Sequence, residues 1–166
     1  MANITLRSNP VTTFGELPKI GTTLPSFVLV GQDLLEKTLN DYEGKRKVLN
    51  IFPSIDTGIC AMSTRKFNEV AGSLENTVVI NISKDLPFAL KRFCGAENIQ
   101  NAEALSDFRG TLGTDYGVLM IDSPMKGLLS RAVIVTDENN QVIYTEQVSE
   151  ITHEPDYDKA LNVLKA

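Results

Sequence analysis

Tryptophan is absent from this 166-residue chain, histidine occurs once and cysteine twice. Two cysteines and one histidine cannot fill a four-ligand Cys/His zinc site, so carboxylates would have to complete any metal centre. The lone histidine, His153, lies in Thr152-His153-Glu154-Pro155-Asp156. That run reads as the approach to a closing helix and gives His153 a surface or capping role. A nucleophilic cysteine here would therefore work without a histidine base. No Cys-x-x-Cys pair is present either, which counts against a disulfide oxidoreductase.

Positive charge is scarce: 16 lysines and arginines face 21 acidic residues, for a formal charge of −5 and a pI near 4.9. That balance excludes the electrostatic footprint of a nucleic-acid or anionic-membrane binder. The densest basic run, Lys45-Arg46-Lys47, reads as a solvated loop ahead of an apolar strand. No window approaches the roughly 18 consecutive apolar residues of a membrane span. Residues 1–7 hold no basic segment followed by an apolar region, so no signal peptide is expected. Without a secretory route the sequons at Asn3 and Asn81 carry no weight, and the expected compartment is the cytoplasm. An apolar fraction of 42% and a charged fraction of 22% are ordinary for a globular chain. The length suits one domain over 1–166.

Periodicity supplies the organisation. Ile4-Thr5-Leu6 and Val11-Thr12-Thr13-Phe14 flank a Ser8-Asn9-Pro10 turn and predict an N-terminal hairpin. Phe27-Val28-Leu29-Val30 is a strand, and Lys47-Val48-Leu49-Asn50-Ile51-Phe52 a central one covered on both faces, stopped by Pro53. From Cys60 the period becomes helical, with Ser63, Phe67, Val70 and Leu74 on one face. Thr77-Val78-Val79-Ile80-Asn81-Ile82 returns to strand, so the two strands around this helix should be parallel with a right-handed crossover. Asp85 is expected to cap a second helix with Pro87 in its first turn and Cys94-Gly95 near its end. Ala132 to Val135 and Val142 to Tyr144 form a hairpin around Glu138-Asn139-Asn140, and Asp156 to Lys165 a closing helix. The order predicts an α/β sandwich with a mixed central sheet flanked by helices.

Chemistry concentrates in Pro53-Ser54-Ile55-Asp56-Thr57-Gly58-Ile59-Cys60, between the carboxyl end of a buried strand and the first turn of a helix. Unpaired N–H groups and the positive end of the macrodipole favour an anion there, so a cysteine becomes a thiolate more readily. A thiolate alone gains little. Lowering a thiol pKa from about 8.5 to about 6 raises its ionised fraction at pH 7 roughly thirtyfold. Reduced intrinsic nucleophilicity cancels about tenfold of that gain. Fast attack by such a thiolate needs donors that hold the substrate's reacting bond in line and stabilise the departing atom. Thr57 is placed to offer a hydroxyl, and an arginine from elsewhere would add a fixed charge and a rigid donor fork.

The spacing Pro53-x3-Thr57-x2-Cys60 resembles the peroxiredoxin signature, and the run from Pro53 to Asn68 is similar to the thiol peroxidase branch of that family. So are the segment from Asp122 through Met125 to Arg131-Ala132-Val133 and the N-terminal hairpin. The resemblance covers nearly the whole chain. It implies a thioredoxin-like fold and a two-cysteine peroxidase. In that scheme Cys60 attacks hydrogen peroxide or an organic hydroperoxide, Thr57 bonds thiolate and peroxide, and Pro53 shields the sulfur. Arg131 holds the thiolate and the bound oxygen. Cys94 then resolves the sulfenic acid as a Cys60–Cys94 disulfide, which thioredoxin reduces. It also implies a homodimer and calls for no cofactor or metal. Gly58 departs from the proline common at that position in the family, leaving this turn freer.

Each residue also has a plainer reading. Cysteine is among the most buried residue types, so Cys60 or Cys94 could be core. A structural staple closing about 35 residues would contribute roughly 3–4 kcal/mol, although persistent disulfides are rare in the cytosol. Arg131 could pair with an acidic residue, and Met120 and Met125 could be core or pocket lining. A non-catalytic redox sensor could use the same cysteine pair; only an enzyme consumes peroxide catalytically.

Overall fold

Strands form where β-branched and aliphatic residues run together, and the computed structural model, which describes residues 1–165, assembles most of them into one mixed sheet. In chain order the elements are β1 (Asn3–Leu6), β2 (Asn9–Thr12), β3 (Val28–Val30), β4 (Glu36–Thr38), a 3-10 helix (Leu39–Tyr42) and β5 (Arg46–Ile51). Then follow α1 (Gly58–Ala71), β6 (Thr77–Ser83), α2 (Pro87–Ala96), β7 (Glu103–Ser106), α3 (Leu112–Asp115), β8 (Ala132–Thr136), β9 (Val142–Gln147) and α4 (Tyr157–Asn162). The seven-stranded sheet runs β4-β3-β7-β6-β5-β8-β9, and β1 pairs with β2 as a separate hairpin.

β5 lies inside the sheet, between β6 and β8, and five of its six residues are buried, as a strand covered on both faces requires. It pairs in parallel with β6, from Arg46↔Thr77 to Ile51↔Ile82, and α1 makes the crossover. On its other side β5 pairs antiparallel with β8, from Lys47↔Thr136 to Ile51↔Ala132. Leu49, Ile51, Ile80, Ile82, Ala132 and Ile134 face a core closed by Leu39, Tyr42, Leu112 and Tyr116. The opposite face carries Val48, Val79, Val133 and Val135 against Phe67 of α1 and Ala160 of α4. No described helix is long and apolar enough to cross a membrane.

Several sequence expectations need correction. Lys45-Arg46-Lys47 is not a solvated loop: Arg46 and Lys47 open β5, and Lys47 is fully buried. Lys47 Nζ donates to Lys45 O at 2.7 Å, and Arg46 donates to Leu164 O and Glu75 O at 2.7 Å each. Backbone carbonyls thus accept the donors that water was expected to accept. Asp85 does not cap α2, whose N-cap is Leu86 without a side-chain cap bond. Tertiary donors take its carboxylate instead. The closing helix is shorter than its apolar pattern, ending at Asn162, and Asp156 caps it by accepting from Lys159 N–H at 3.1 Å. The sequence reading did not place β4, β7 or α3, each four residues or fewer.

Gly117 marks a tight crossing. Its φ is 69°, and an added Cβ would lie 2.2 Å from Glu16 O and 2.5 Å from Glu16 N, backbone atoms that cannot rotate away. Gly117→Ala is expected to lower the unfolding free energy by about 2 kcal/mol or more, from left-handed strain plus overpacking. Urea denaturation with an unchanged midpoint would refute it.

Candidate active site

Parallel pairing brings the carboxyl ends of β5 and β6 side by side, and the loops leaving them hold one another. The chain passes from β5 through Phe52 and Pro53 into a turn where Thr57 N–H and Thr57 Oγ1 donate to Ser54 O at 3.1 and 3.0 Å. The Asp85 carboxylate, just past β6, accepts from Ser54 Oγ and from the Ile55 N–H, both at 2.7 Å, and from Ser83 Oγ at 2.6 Å. An acceptor-only side chain can satisfy that many donors at once.

Cys60 is the third residue of α1 and has no exposed surface. The first turn contains no acidic residue, so nothing of its own offsets the positive helix end near the sulfur. Ser63 Oγ and Thr64 Oγ1 both donate to Cys60 O, at 3.0 and 2.9 Å. Asn50 Nδ2 reaches Ser63 Oγ at 3.2 Å and Asn81 Oδ1 at 2.9 Å, anchoring the start of α1 to β5 and β6.

The antiparallel pair Ile51↔Ala132 sets Arg131, immediately before β8, beside the loop leaving β5. Arg131 is 2% exposed. Its Nε donates to Ile151 O at 2.9 Å and its Nη2 to Cys60 Sγ at 3.3 Å, while Nη1 has no partner among the described residues. No described carboxylate forms an ion pair with it, so the plainer reading of Arg131 as an acid's partner does not hold. The Cys60 sulfur is the contacting group able to carry balancing negative charge.

A cavity of about 440 Å³ reaches Arg131 and the turn before Cys60, lined by Leu6, Pro53, Ile59, Met125 and Ile151 together with Thr57 and Arg131, while the Cys60 sulfur lies buried behind that lining. Pro53 is buried. Thr57 Oγ1 gives its proton to Ser54 O, not to Cys60, which leaves lone pairs for an incoming donor. Met125 lines the cavity and Met120 is core, as the sequence allows. Leu6, Arg7, Ile151 and Thr152 also line it, and sequence reasoning missed them. His153 lies on the surface, clear of the site.

Cys94 lies in α2, 7% exposed, in the same apolar cluster as Cys60, with Phe52, Ile55, Leu90 and Ile99. Both thiols are free. Burial pushes the Cys94 thiol above its ordinary value, and a hydrogen bond with the Gln32 side chain pulls it partly back. α2 is tied to α1 and its entry loop by exposed pairs: Arg65 with Glu97 through two 2.9 Å bonds, and Arg92 with Asp56 at 3.0 Å. Arg65 also lies over the Phe93 ring at 5.7 Å.

Residues 19–161 match the Redoxin family. A thiol peroxidase of Corynebacterium glutamicum is 56% identical over 164 residues, covering 99% of both chains. One of Mycobacterium bovis is 51% identical over 166 residues, covering the whole of both. Among solved structures, a peroxiredoxin-like protein from Aquifex aeolicus superposes with a TM-score of 0.94 at 42% identity, over 99% of this chain and 96% of that one.

Gly58 opens α1 with no neighbour within 4 Å of an added Cβ, and Thr57 before it is extended (φ −96°, ψ 148°). Both conditions suit proline at the first helical position, whose N–H has no intrahelical partner. Gly58→Pro is expected to raise the unfolding free energy by about 0.4–1 kcal/mol through the unfolded chain. A lowered urea midpoint would show that the turn uses freedom this geometry does not reveal.

Proposed function

This chain belongs to the Redoxin family, as a peroxiredoxin of the thiol peroxidase kind, and on that premise we propose that Cys60 is the peroxidatic nucleophile and Cys94 its resolving partner. The observation that carries the assignment is the buried Arg131 guanidinium, with Nη2 3.3 Å from Cys60 Sγ and Nη1 free beside the cavity. In the proposed cycle the Cys60 thiolate attacks the terminal oxygen of ROOH. The S–O bond forms as the O–O bond breaks, and the departing alkoxide takes a proton to leave as alcohol, or water when R is hydrogen. Arg131 stabilises the charge that develops on the departing oxygen. Thr57 Oγ1, its own proton committed to Ser54 O, accepts from the hydroperoxide O–H. Pro53 and the apolar cavity walls exclude water, and the cavity has room for the alkyl group of an organic hydroperoxide as well as for hydrogen peroxide.

Resolution condenses the Cys60 sulfenic acid with the Cys94 thiol, releasing water and forming the intramolecular disulfide. A dithiol protein, thioredoxin by the family resemblance, then returns two electrons by exchange. Cys94 is buried and its thiol is pushed up, so local opening at the end of α2 delivers it. The exposed pairs that tie α2 to its neighbours are screened by solvent and oppose that opening weakly.

The test is intact mass of reduced protein given one equivalent of hydroperoxide and alkylated at once. Loss of two hydrogens, no alkylation and a linked Cys60–Cys94 peptide are expected, followed by turnover with a thioredoxin system. Two alkylatable thiols would sink the assignment; one round of oxidation without turnover would point to a redox sensor. The resemblance further implies a homodimer. Leu86 and Phe88 at the start of α2 and Phe108 after β7 are exposed apolar surface suited to that contact. Light scattering should give about twice the 18.2 kDa chain mass, and a value at the chain mass would remove the dimer.

A further inference from the structure

We propose that Glu150 is a positioning residue for Arg131: it clamps the N-terminal hairpin onto residues 149–152 and so fixes the carbonyl that orients the guanidinium at Cys60. The inference rests on the catalytic reading of Arg131 given above. Arg131 has two hydrogen bonds to protein, and the one from Nε to Ile151 O at 2.9 Å sets the plane of the donor fork. Among the described residues nothing acidic braces the guanidinium, so the position of Ile151 O decides where Nη1 and Nη2 point.

Ile151 O belongs to no strand of the main sheet. Its segment is held by β1 through a minimal parallel bridge, Thr5 N–H to Ser149 O at 2.8 Å and Ile151 N–H to Thr5 O at 2.9 Å. The Glu150 side chain reinforces that bridge from both sides. Its Oε1 accepts from Ser8 N–H at 2.8 Å and from Thr5 Oγ1 at 3.2 Å, and its Oε2 accepts from Thr152 N–H at 3.1 Å. One carboxylate thus joins the β1–β2 turn, β1 and the residue after Ile151.

The turn is shaped for an anion. Arg7 and Ser8 both have positive φ, 49° and 70°, unusual for residues that are not glycine. That conformation directs successive backbone N–H groups toward the carboxylate, a concavity that binds negative charge. Donation from the Ser8 N–H first, then from Thr152 and Arg7, holds the Glu150 carboxyl down at about 2, so it is charged wherever the fold operates. Tyr157, which lies within the field of Arg131, stays neutral because burial and its bond to Glu154 push it up. Leu6, Arg7, Ile151 and Thr152 all line the cavity, so the clamp also fixes one wall of the substrate site.

Glu150→Gln keeps the shape but leaves one acceptor oxygen and turns an NH₂ toward backbone N–H groups. The expected result is about a tenfold slower reaction of Cys60 with hydrogen peroxide, and alkylation of Cys60 by iodoacetamide that is half-maximal at higher pH than in the wild type. In an Arg131→Met background the same change should cost less than about twofold in either readout, because the group it positions is gone. Equal costs in both backgrounds, or a lowered melting temperature with an unmoved alkylation profile, would reduce Glu150 to a structural residue. If Glu150→Gln does not fold, Thr5→Val removes one donor from Oε1 and should give the same pattern at about threefold; an additive result there overturns the proposal. Failure of wild-type Cys60 to react with peroxide would instead overturn the peroxidase reading, and the alkylation arms would still report on Glu150.

Discussion

A guanidinium taken out of water must find its hydrogen bonds inside the protein, and Arg131 finds one carbonyl and one sulfur. Burying a charge with so few partners costs several kcal/mol unless a balancing charge lies beside it. The surrounding structure bears on that one contact. β5 and β8 set the arginine opposite the loop that carries Cys60, the Asn50–Ser63 bond holds the first turns of α1, and the hairpin holds Ile151. A single buried cation thereby coordinates parts of the chain more than seventy residues apart.

The central elements were legible because their signal is local. Near-continuous apolar runs give β5 and β6, and the change of period after Pro53 gives α1, although its first residue is Gly58 and not Cys60. β7 and α3 span four residues each, too short for a period to show. Asp85 followed by a proline two residues on looks like a helix start, yet its carboxylate serves Ser54 and Ile55 some thirty positions away. Local rules misassign a polar side chain whenever a tertiary donor competes for it. At the site, Pro53, Thr57, Cys60 and Arg131 were readable from spacing and resemblance. The hairpin wall was not, since it depends on contacts such as Thr5 with Glu150, 145 residues apart.

The two cysteines illustrate a division between chemistry and access. Both belong to one apolar cluster with Phe52, Leu90 and Ile99, which keeps water from the sulfurs while the site is closed. Contacts that hold the outer side of α2 are exposed ion pairs, weak and screened by salt. The strong cohesion lies inside the cluster and the weak cohesion outside it, so loosening of α2 can begin at its solvent edge without disturbing β5 or β8.

β8 is buried along its whole length, Ala-Val-Ile-Val-Thr, with apolar side chains on both faces. Hydrophobicity alone therefore does not say which face is which, and a slip of one position against β5 would leave an equally greasy strand. Arg131 breaks the degeneracy. In the observed register it shares a face with Val133 and Val135 and reaches Cys60; one step over, it would leave the sulfur and enter the side formed by Leu49, Ile80 and Ile134. The residue that meets the sulfur therefore also helps to make the wrong pairing costly, so a charge adds to the alignment of a sheet that grease alone would leave ambiguous.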